Sequence, residues 1–416
     1  MEPERKNKPK YQIKGMAVFG HRDFSLFYFS KTVAAIALQM VRVAIAYQIY
    51  DLTGNPMDLA YMGLATFAPA IGFSLFTGYM ADLFDRRLVI SICYAVMLLS
   101  ALLFLFFTLS GTAMVWPAFA IMAVMGTGRA FYQPASTSLL PNLVPADIFP
   151  NAVAWNTTSI RISQIVGPAL GGMLYLAGPE VVYTVSAMVL AVSVITTTMI
   201  RTRSGRTGKQ RTSLAVLLAG IAYIYSKKIV FGAMILDMFV VLLGGVTALL
   251  PVYAKDILHV GPTGAGLLRS AMAAGGMVSA LTLTQISLTR NVGYILYISI
   301  FIFGAATLVF GVSPWFPLSL AAMAILGSAD MISVYIRNTL IQIATPDEMR
   351  GRVSAVNAVF TGASNEIGEF RAGAMAALIG TMPAVIVGGL GSIIVTAACW
   401  RLFPNLLKVQ RIDRAL

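Results

Sequence analysis

Long stretches almost free of charge recur twelve times along this chain, each near the length of about twenty residues that a helix needs to cross a bilayer. Inside hydrocarbon every backbone N–H and C=O must find a partner within the segment or in a closed barrel. The apolar runs are continuous rather than alternating, which excludes a β-barrel and leaves helices. Only 11% of the residues are charged, against about a quarter in a soluble domain, and the mean hydropathy is +0.79. The expected fold is an all-α polytopic membrane protein with twelve transmembrane helices. Apolar runs between polar or Pro/Gly breaks place them at 24–50, 57–81, 88–110, 113–140, 150–177, 181–200, 228–254, 262–287, 291–311, 315–343, 352–380 and 383–402.

Between spans 6 and 7 lies "RTRSGRTGKQR", a basic linker, followed by "TSLAVLLAGIAYIYSKK", expected to be a short amphipathic helix at the membrane surface. With the N-terminus inside, 22 of the 30 Lys and Arg fall in inside segments. Seven more lie within spans, and one, Lys255, in an outside loop. This is the positive-inside pattern, and it puts both termini in the cytoplasm. The net charge of +13 is therefore read as a topology signal with anionic lipid headgroups as its partner, not as a nucleic-acid footprint. "MEPERKNKPKYQIKG" has no apolar core and cleavage site, so no cleaved signal peptide is expected. Cys93 and Cys399 both fall in spans, and His21 and His259 sit at opposite ends of spans. No disulfide framework, metal site or cofactor is expected. Neither an ATP-binding loop nor a nucleophile with a base in reach is present, so the chain is read as a non-enzyme.

The two halves of the sequence repeat. A shift of 201 residues lays "PADIFPNAVAWN" (145–156) on "PDEMRGRVSAVN" (346–357), Ser163 on Ser364, Gly167 on Gly368 and Gly172 on Gly373. Two six-helix bundles that both start inside, 1–200 and 228–416, with a basic linker at 201–227, are parallel repeats. That is the organisation of the major facilitator fold, whose substrate site lies between the halves near the midplane.

Eleven charges fall in the interiors of spans, away from their ends. Lys31, Arg42, Arg129 and Arg161 are in the first half. Asp237, Arg269, Asp330, Arg337, Glu366, Glu369 and Arg371 are in the second. Each costs roughly 2.5–3.5 kcal/mol at a helix centre, so the set must face one another or a wet cavity rather than lipid. Spans 3, 6, 9 and 12 carry none in their interiors and are expected to be the outer supports. All four acids belong to the second half, which implies a basic wall facing a mixed one. Arg42, Arg129, Arg161, Lys31, Arg337 and Asn357 are the candidate substrate-binding residues. Glu366 and Glu369 share a helix face and cannot both ionise cheaply in a cleft, so with Asp330 and Asp237 they are the candidate proton-coupling groups. Each of these charges is weighed against a structural ion pair.

"GYMADLFDRR" (78–87) resembles the major facilitator superfamily signature G-x-x-x-D-[RK]-x-G-[RK]-[RK]. Gly78, Asp82, Arg86 and Arg87 match, Leu83 stands for a base and Asp85 for a glycine. "GPALGG" (167–172) resembles the end of the antiporter motif of proton-coupled exporters, with Gly167, Pro168, Gly171 and Gly172. The resemblance implies gating roles for these residues, with Asp82 capping a helix on the cytoplasmic side; Arg350 and Arg352 join the candidate gate. "YDLTGNPMDLA", "RAFYQPA", "PDEMRGRVSAVN" and "SNEIGEF" extend the likeness over nearly the whole chain. They resemble the subgroup that includes enterobactin-type siderophore exporters and macrolide efflux pumps. The implied function is a monomeric secondary active transporter of the bacterial inner membrane. It would couple protons to export of a medium-sized amphipathic small molecule, a siderophore or drug-like compound. A lipid or lysophospholipid flippase and a proton-coupled uptake carrier are the alternatives.

Overall fold

The computed structural model describes residues 15–73, 76–77, 80, 83–203, 214–286 and 290–407. Twelve long helices carry the fold. They are α1 (Arg22–Thr53), α2 (Pro56–Gly72), α3 (Arg86–Leu109), α4 (Trp116–Leu139), α5 (Phe149–Leu174), α6 (Pro179–Thr198), α7 (Lys228–Gly244), α8 (Gly261–Gln285), α9 (Val292–Val312), α10 (Phe316–Ile343), α11 (Asp347–Ile379) and α12 (Thr381–Leu402). Among the described residues nine helices are long and apolar enough to cross a membrane. α2, α4 and α11 are not among them. The described part of α2 has only 17 residues, and α4 and α11 are diluted by polar side chains that turn inward.

Local sequence sets the turns. α1 ends on Gly54, whose left-handed φ of 61° closes the helix with its N–H on the Tyr50 carbonyl at 2.8 Å. Asn55 then caps α2 by accepting from the Met57 N–H at 3.0 Å, and Pro56 opens the helix where no N–H is needed. α11 begins five residues before its expected start because Asp347 and Glu348 favour the positive end of the helix dipole.

One expected span is not a continuous helix. α7 stops at Gly244, and the chain continues through a 3-10 turn (Thr247–Leu249), a short α-helical piece (Leu250–Val252) and a π-helical turn (Tyr253–Ile257). Gly245 lies where a Cβ would fall 2.6 Å from the Gly368 carbonyl, so close packing against α11 sets the break.

Two large apolar cores form. One is built from α1, α3, α4, α5 and α6, with Phe24, Tyr94, Phe104 and Tyr183 wholly buried. The other is built mainly from α7 to α12, around Tyr253, Tyr297 and Phe310, and takes in Ala46, Tyr50 and Leu59 from the first half. Large apolar side chains are exposed on α3, α6, α9 and α12, among them Phe106, Ile195, Phe301 and Ile394, as outer supports facing lipid require. The halves meet chiefly through α5 on α8 and α2 on α11.

The linker helix, Leu214–Ser226, does not lie free on a surface. Ile224 packs with Ile341, Val353 and Val356 of α10 and α11, Gly220 abuts the Arg352 backbone, and Tyr223 donates to the Ala344 carbonyl at 2.7 Å. The helix is thus a strut on the second half.

Candidate functional site

Between the halves lies a cavity of about 400 Å3 that continues into a wider one of about 780 Å3. Arg42 (α1), Arg129 (α4), Arg269 (α8), Glu366 and Glu369 (α11), Thr247, Gln39, Gln133 and Gln164 line both parts. Lys31 lines the first part, and Arg161 and Asp330 line the second. The three arginines and two glutamates act electrostatically on one another: Arg42 opposes Arg129 and Arg269 as a like charge, Glu366 attracts all three, and Glu369 attracts Arg129 and Arg269. Charges that sequence spreads over four helices are gathered around one space.

The individual contacts divide these groups by role. Glu369 accepts a hydrogen bond from the Thr247 hydroxyl at 2.8 Å, in the turn after the α7 break. Glu366 lies over Gly63 of α2, where an added Cβ would sit 3.6 Å from Oε2. Among the described residues it has no direct hydrogen bond or ion pair, only the longer-range charges around it. Arg371, one residue past "GEF", points away from the glutamates. Its Nε donates to the Leu242 carbonyl at 2.9 Å and its Nη2 to the Leu243 carbonyl. Lys31 donates to Asn156 at 2.5 Å, and Arg161 reaches Gln164 at 3.3 Å and the Met331 sulfur at 3.1 Å.

Three expected site residues, Asp237, Arg337 and Asn357, lie away from the cavity. Asp237, expected among the proton-coupling acids, and Arg337, expected among the substrate ligands, line neither part of the cavity. They pair with each other between α7 and α10, only 4% and 3% exposed. Asp237 therefore sits beside a buried opposite charge, outside the space that the other acids share. Asn357 also lies away from the cavity and donates to Asn338 at 3.4 Å.

The gate candidates fall in two groups. Gly78 and Asp82 lie outside the described residues. Within the same signature Arg86 donates to the Ser138 carbonyl at 2.9 Å and Arg87 to the Ile200 carbonyl at 2.7 Å, tying α3 to the ends of α4 and α6. Asp85, which stands where the signature has glycine, caps α3 by accepting from the Arg87 N–H at 3.0 Å. Arg350 pairs with Asp347 and donates to the Gln342 carbonyl at 3.1 Å, and Arg352 reaches only the Met349 sulfur at 3.7 Å. Neither Arg350 nor Arg352 bridges the halves among the described residues.

The glycine motif sits at the junction of three helices. Cβ atoms at Gly167 and Gly171 would meet α1 at Gln39 and Met40, the latter at 2.8 Å from its Cα; one at Gly172 would fall 2.5 Å from the Pro262 carbonyl at the start of α8. The Pro168 carbonyl in turn abuts Gly266 of α8. Most hydrogen bonds between the halves keep to the same side, the Arg161–Met331 contact beside the wider cavity being the exception among the described residues. Ser270 donates to the Ile165 carbonyl at 2.6 Å, Thr263 to the Gly172 carbonyl at 3.2 Å, Tyr50 to Asp256, and Lys255 pairs with Asp51. The halves are therefore latched at the end away from the linker. The wider cavity is walled toward the linker end by Thr77, Gln133, Pro134, Val334 and Gly362.

Sequence reasoning counted Arg269 among the intramembrane charges but gave it no role, and it missed Thr247 altogether. The doubled glycine at 244–245 is the signal that could have marked Thr247 as the first residue past a helix break. Tyr94 and Met97 on α3 also reach the cavity, so this charge-free helix is more than an outer support.

Helices of membrane length, repeated in two sets around one charged central cavity, make this a multi-pass membrane transporter of the major facilitator class. Residues 13–414 match the family described as transmembrane secretion effector, and the chain belongs to that family. The chain is 23% identical over 403 residues to the enterobactin exporter EntS of Citrobacter koseri, covering 94% of each. It superposes on a bacterial homologue of the iron transporter ferroportin in an inward-facing state with a TM-score of 0.70 at 15% identity, covering 93% and 99% of the two chains. A POT family transporter in complex with 5-aminolevulinic acid gives 0.73 at 12% identity, covering 93% and 97%. These likenesses to solved structures concern the fold.

Proposed function

We infer that the chain is a proton-coupled secondary exporter that carries a medium-sized amphipathic anion by alternating access. The carrying observation is the cavity in which Arg42, Arg129 and Arg269 face Glu366 and Glu369. Three guanidiniums against two carboxylates leave a net positive charge in a low-dielectric space even with both acids ionised. An anion compensates that charge when it binds, and protonation of an acid makes the field more positive still. This shared field alone makes proton and anion raise each other's affinity, so exchange of one for the other further requires that the bound cargo and the proton on Glu366 exclude each other in the cavity.

Arg42, Arg129 and Arg269 are the proposed anion ligands, with Lys31 and Arg161 on the approach. Glu366 and Asp330 are the proposed proton sites, and Glu369 is their neighbour. The latch at the end away from the linker supports a cavity open toward the linker end. The basic linker and the 22-to-1 division of Lys and Arg support a cytoplasmic position for that end and for both termini. Gly78, Asp82, Arg86 and Arg87 would close that side in the opposite state. The division into 1–200, 201–227 and 228–416 is proposed as the mechanical one, the linker helix moving with the second half. The enterobactin exporters among its relatives favour a siderophore-like cargo of this charge.

The test is transport in proteoliposomes with an imposed pH gradient, run on a panel of anionic siderophores, drugs and lysolipids. Uphill movement of an anionic siderophore or drug is expected. Glu366→Gln or Asp330→Asn should abolish it while leaving downhill exchange. Substrate movement that ignores the gradient, or uphill transport surviving both substitutions, would defeat the reading.

A further inference from the structure

The proton-coupled reading leaves one question at the level of single side chains: two carboxylates one helical turn apart have no reason in sequence to behave differently. Their surroundings differ. Glu369 is held by the Thr247 hydroxyl, whereas Glu366 has no direct bond among the described residues. Thr247 reaches Glu369 only because α7 ends at Gly244 and its backbone turns there. A helix break inside a membrane leaves carbonyl oxygens without their usual donors, and each is costly unless another group supplies one. Arg371 supplies them, donating to the carbonyls of Leu242 and Leu243 from the adjacent turn of α11. Gly388 of α12 and Gly245 of the break leave the room: a Cβ at Gly388 would lie 3.3 Å from the Arg371 guanidinium, and one at Gly245 would strike the Gly368 backbone.

We propose that Arg371 and Thr247 are positioning residues that divide the labour of the glutamate pair. Arg371 fixes the break in α7, the break presents Thr247 to Glu369, and Glu366 is left as the group that binds and releases the proton. The inference rests on the proton-coupled reading and sharpens it. The Thr247 hydroxyl gives Glu369 a charge-assisted hydrogen bond that Glu366 lacks, and such a bond is stronger than a neutral one. The proton, taken from water and returned to it, then resides on the carboxyl without such a donor. The other charges facing Glu366 are Arg42 from α1, Arg129 from α4 and Arg269 from α8, with Glu369 on its own helix. α2 offers only Gly63 at this point, and α10 contributes Asp330 to the wider part of the cavity. None of these distinguishes the two glutamates by a direct bond; Thr247 does.

The experiment is infrared difference spectroscopy of the purified full-length protein in lipid nanodiscs, stepped between mildly acidic and mildly alkaline buffer. The readout is the C=O stretch of a protonated carboxyl. With Asp330→Asn introduced throughout to silence the other proposed proton site, the protein should show a pH-dependent band that Glu366→Gln removes and Glu369→Gln keeps. Thr247→Val, nearly isosteric but without the donor, should restore a titrating band from Glu369 in the Glu366→Gln background, and Thr247→Ser should not. Arg371→Met should act like Thr247→Val with Thr247 still present, and Arg371→Lys, which can still donate to one carbonyl, should act less. The proposal is overturned if Glu369→Gln is the variant that removes the band, if the Asp330→Asn protein shows no such band, or if Thr247→Val in the Glu366→Gln background is silent. Should the bands behave as expected while an imposed gradient drives no transport by the native protein, the exporter reading falls and the assignment of tasks stands.

Discussion

α5 and α11 occupy the same place in the two halves, and the likeness extends to single atoms. Gly167 packs α5 onto α1, and Gly368, its counterpart 201 residues on, packs α11 onto α7 with a Cβ position 2.7 Å from the Val241 carbonyl. Gly172 meets the opposite half at Pro262, and Gly373 meets the opposite half at Pro56, 2.9 Å from its carbonyl. The helices they pack on are not alike. α1 is continuous over 32 residues, whereas α7 breaks after 17 and needs Arg371 to hold the break. Arg129 in the first half is matched by Asp330 in the second. Duplication has kept the joints and released the chemistry: residues that decide how helices approach one another stayed in register, while residues facing the cavity diverged into a basic and a mixed wall.

The sharpest way to test that contrast is to compare the polar ties inside each half. The second half has the buried Asp237–Arg337 pair; the first has the half-buried Lys31–Asn156 bond. Asp237→Asn should lower stability by roughly 3–5 kcal/mol, because Arg337 is left charged and buried without its partner. Thermal unfolding in detergent should show a large fall in Tm, and the paired replacement Asp237→Leu with Arg337→Met should recover most of it. Asn156→Ala should cost about 1 kcal/mol or less, since Lys31 keeps access to the cavity. Equal losses would mean that the two halves are held together in the same way.

A smaller effect tests the shared joints. Gly172→Val and Gly373→Val each drive a side chain into the backbone of the opposite half. Overpacking of this kind costs about 1–3 kcal/mol, here charged to the state latched at the end away from the linker. Spin-label distances across that end should broaden toward open in both variants, with transport slowed about tenfold or more. A response at only one of the two glycines would break the symmetry of the joints.

The smallest expected change is at the caps. Asn55→Ala and Asp85→Ala each remove a helix N-cap and should cost about 1 kcal/mol. Because Asp85 replaces the signature glycine, Asp85→Gly should lose only a few tenths of that amount, measured by chemical denaturation.

How much of this was legible beforehand depends on the kind of signal. Helix ends were, since apolar runs flanked by Gly, Pro, Asn and Asp carry their own start and stop: the span expected at 315–343 runs Phe316–Ile343, and that at 291–311 runs Val292–Val312. The break in α7 was marked only by the doubled glycine at 244–245, which leaves hydropathy unchanged, and it is packing on Phe303 and Gly368 that forces the turn. For the cavity, cost alone predicted that Arg42, Arg129, Glu366 and Glu369 would converge. Cost could not separate Asp237 from Asp330, because both are equally expensive in lipid. Which acid is paired depends on helix rotation, and that is settled by contacts between α7 and α10 that no single span encodes. Arg371 illustrates the same limit: one residue beyond the glutamates in sequence, it faces backbone rather than cavity.

The linker helix is held to α10 and α11, and at the other end of the connection Asp23 accepts hydrogen bonds from the Arg201 and Thr202 N–H groups at 3.1 and 2.8 Å and from the Thr202 hydroxyl at 2.5 Å. The covalent join between the halves is therefore anchored on both banks, and Arg203 and Leu214 are eleven peptide bonds apart. Fully drawn out, that length reaches about 40 Å and no further. That length is an upper bound on the separation of the two anchor points, and shortening the basic segment would lower the bound without touching a single residue of the cavity.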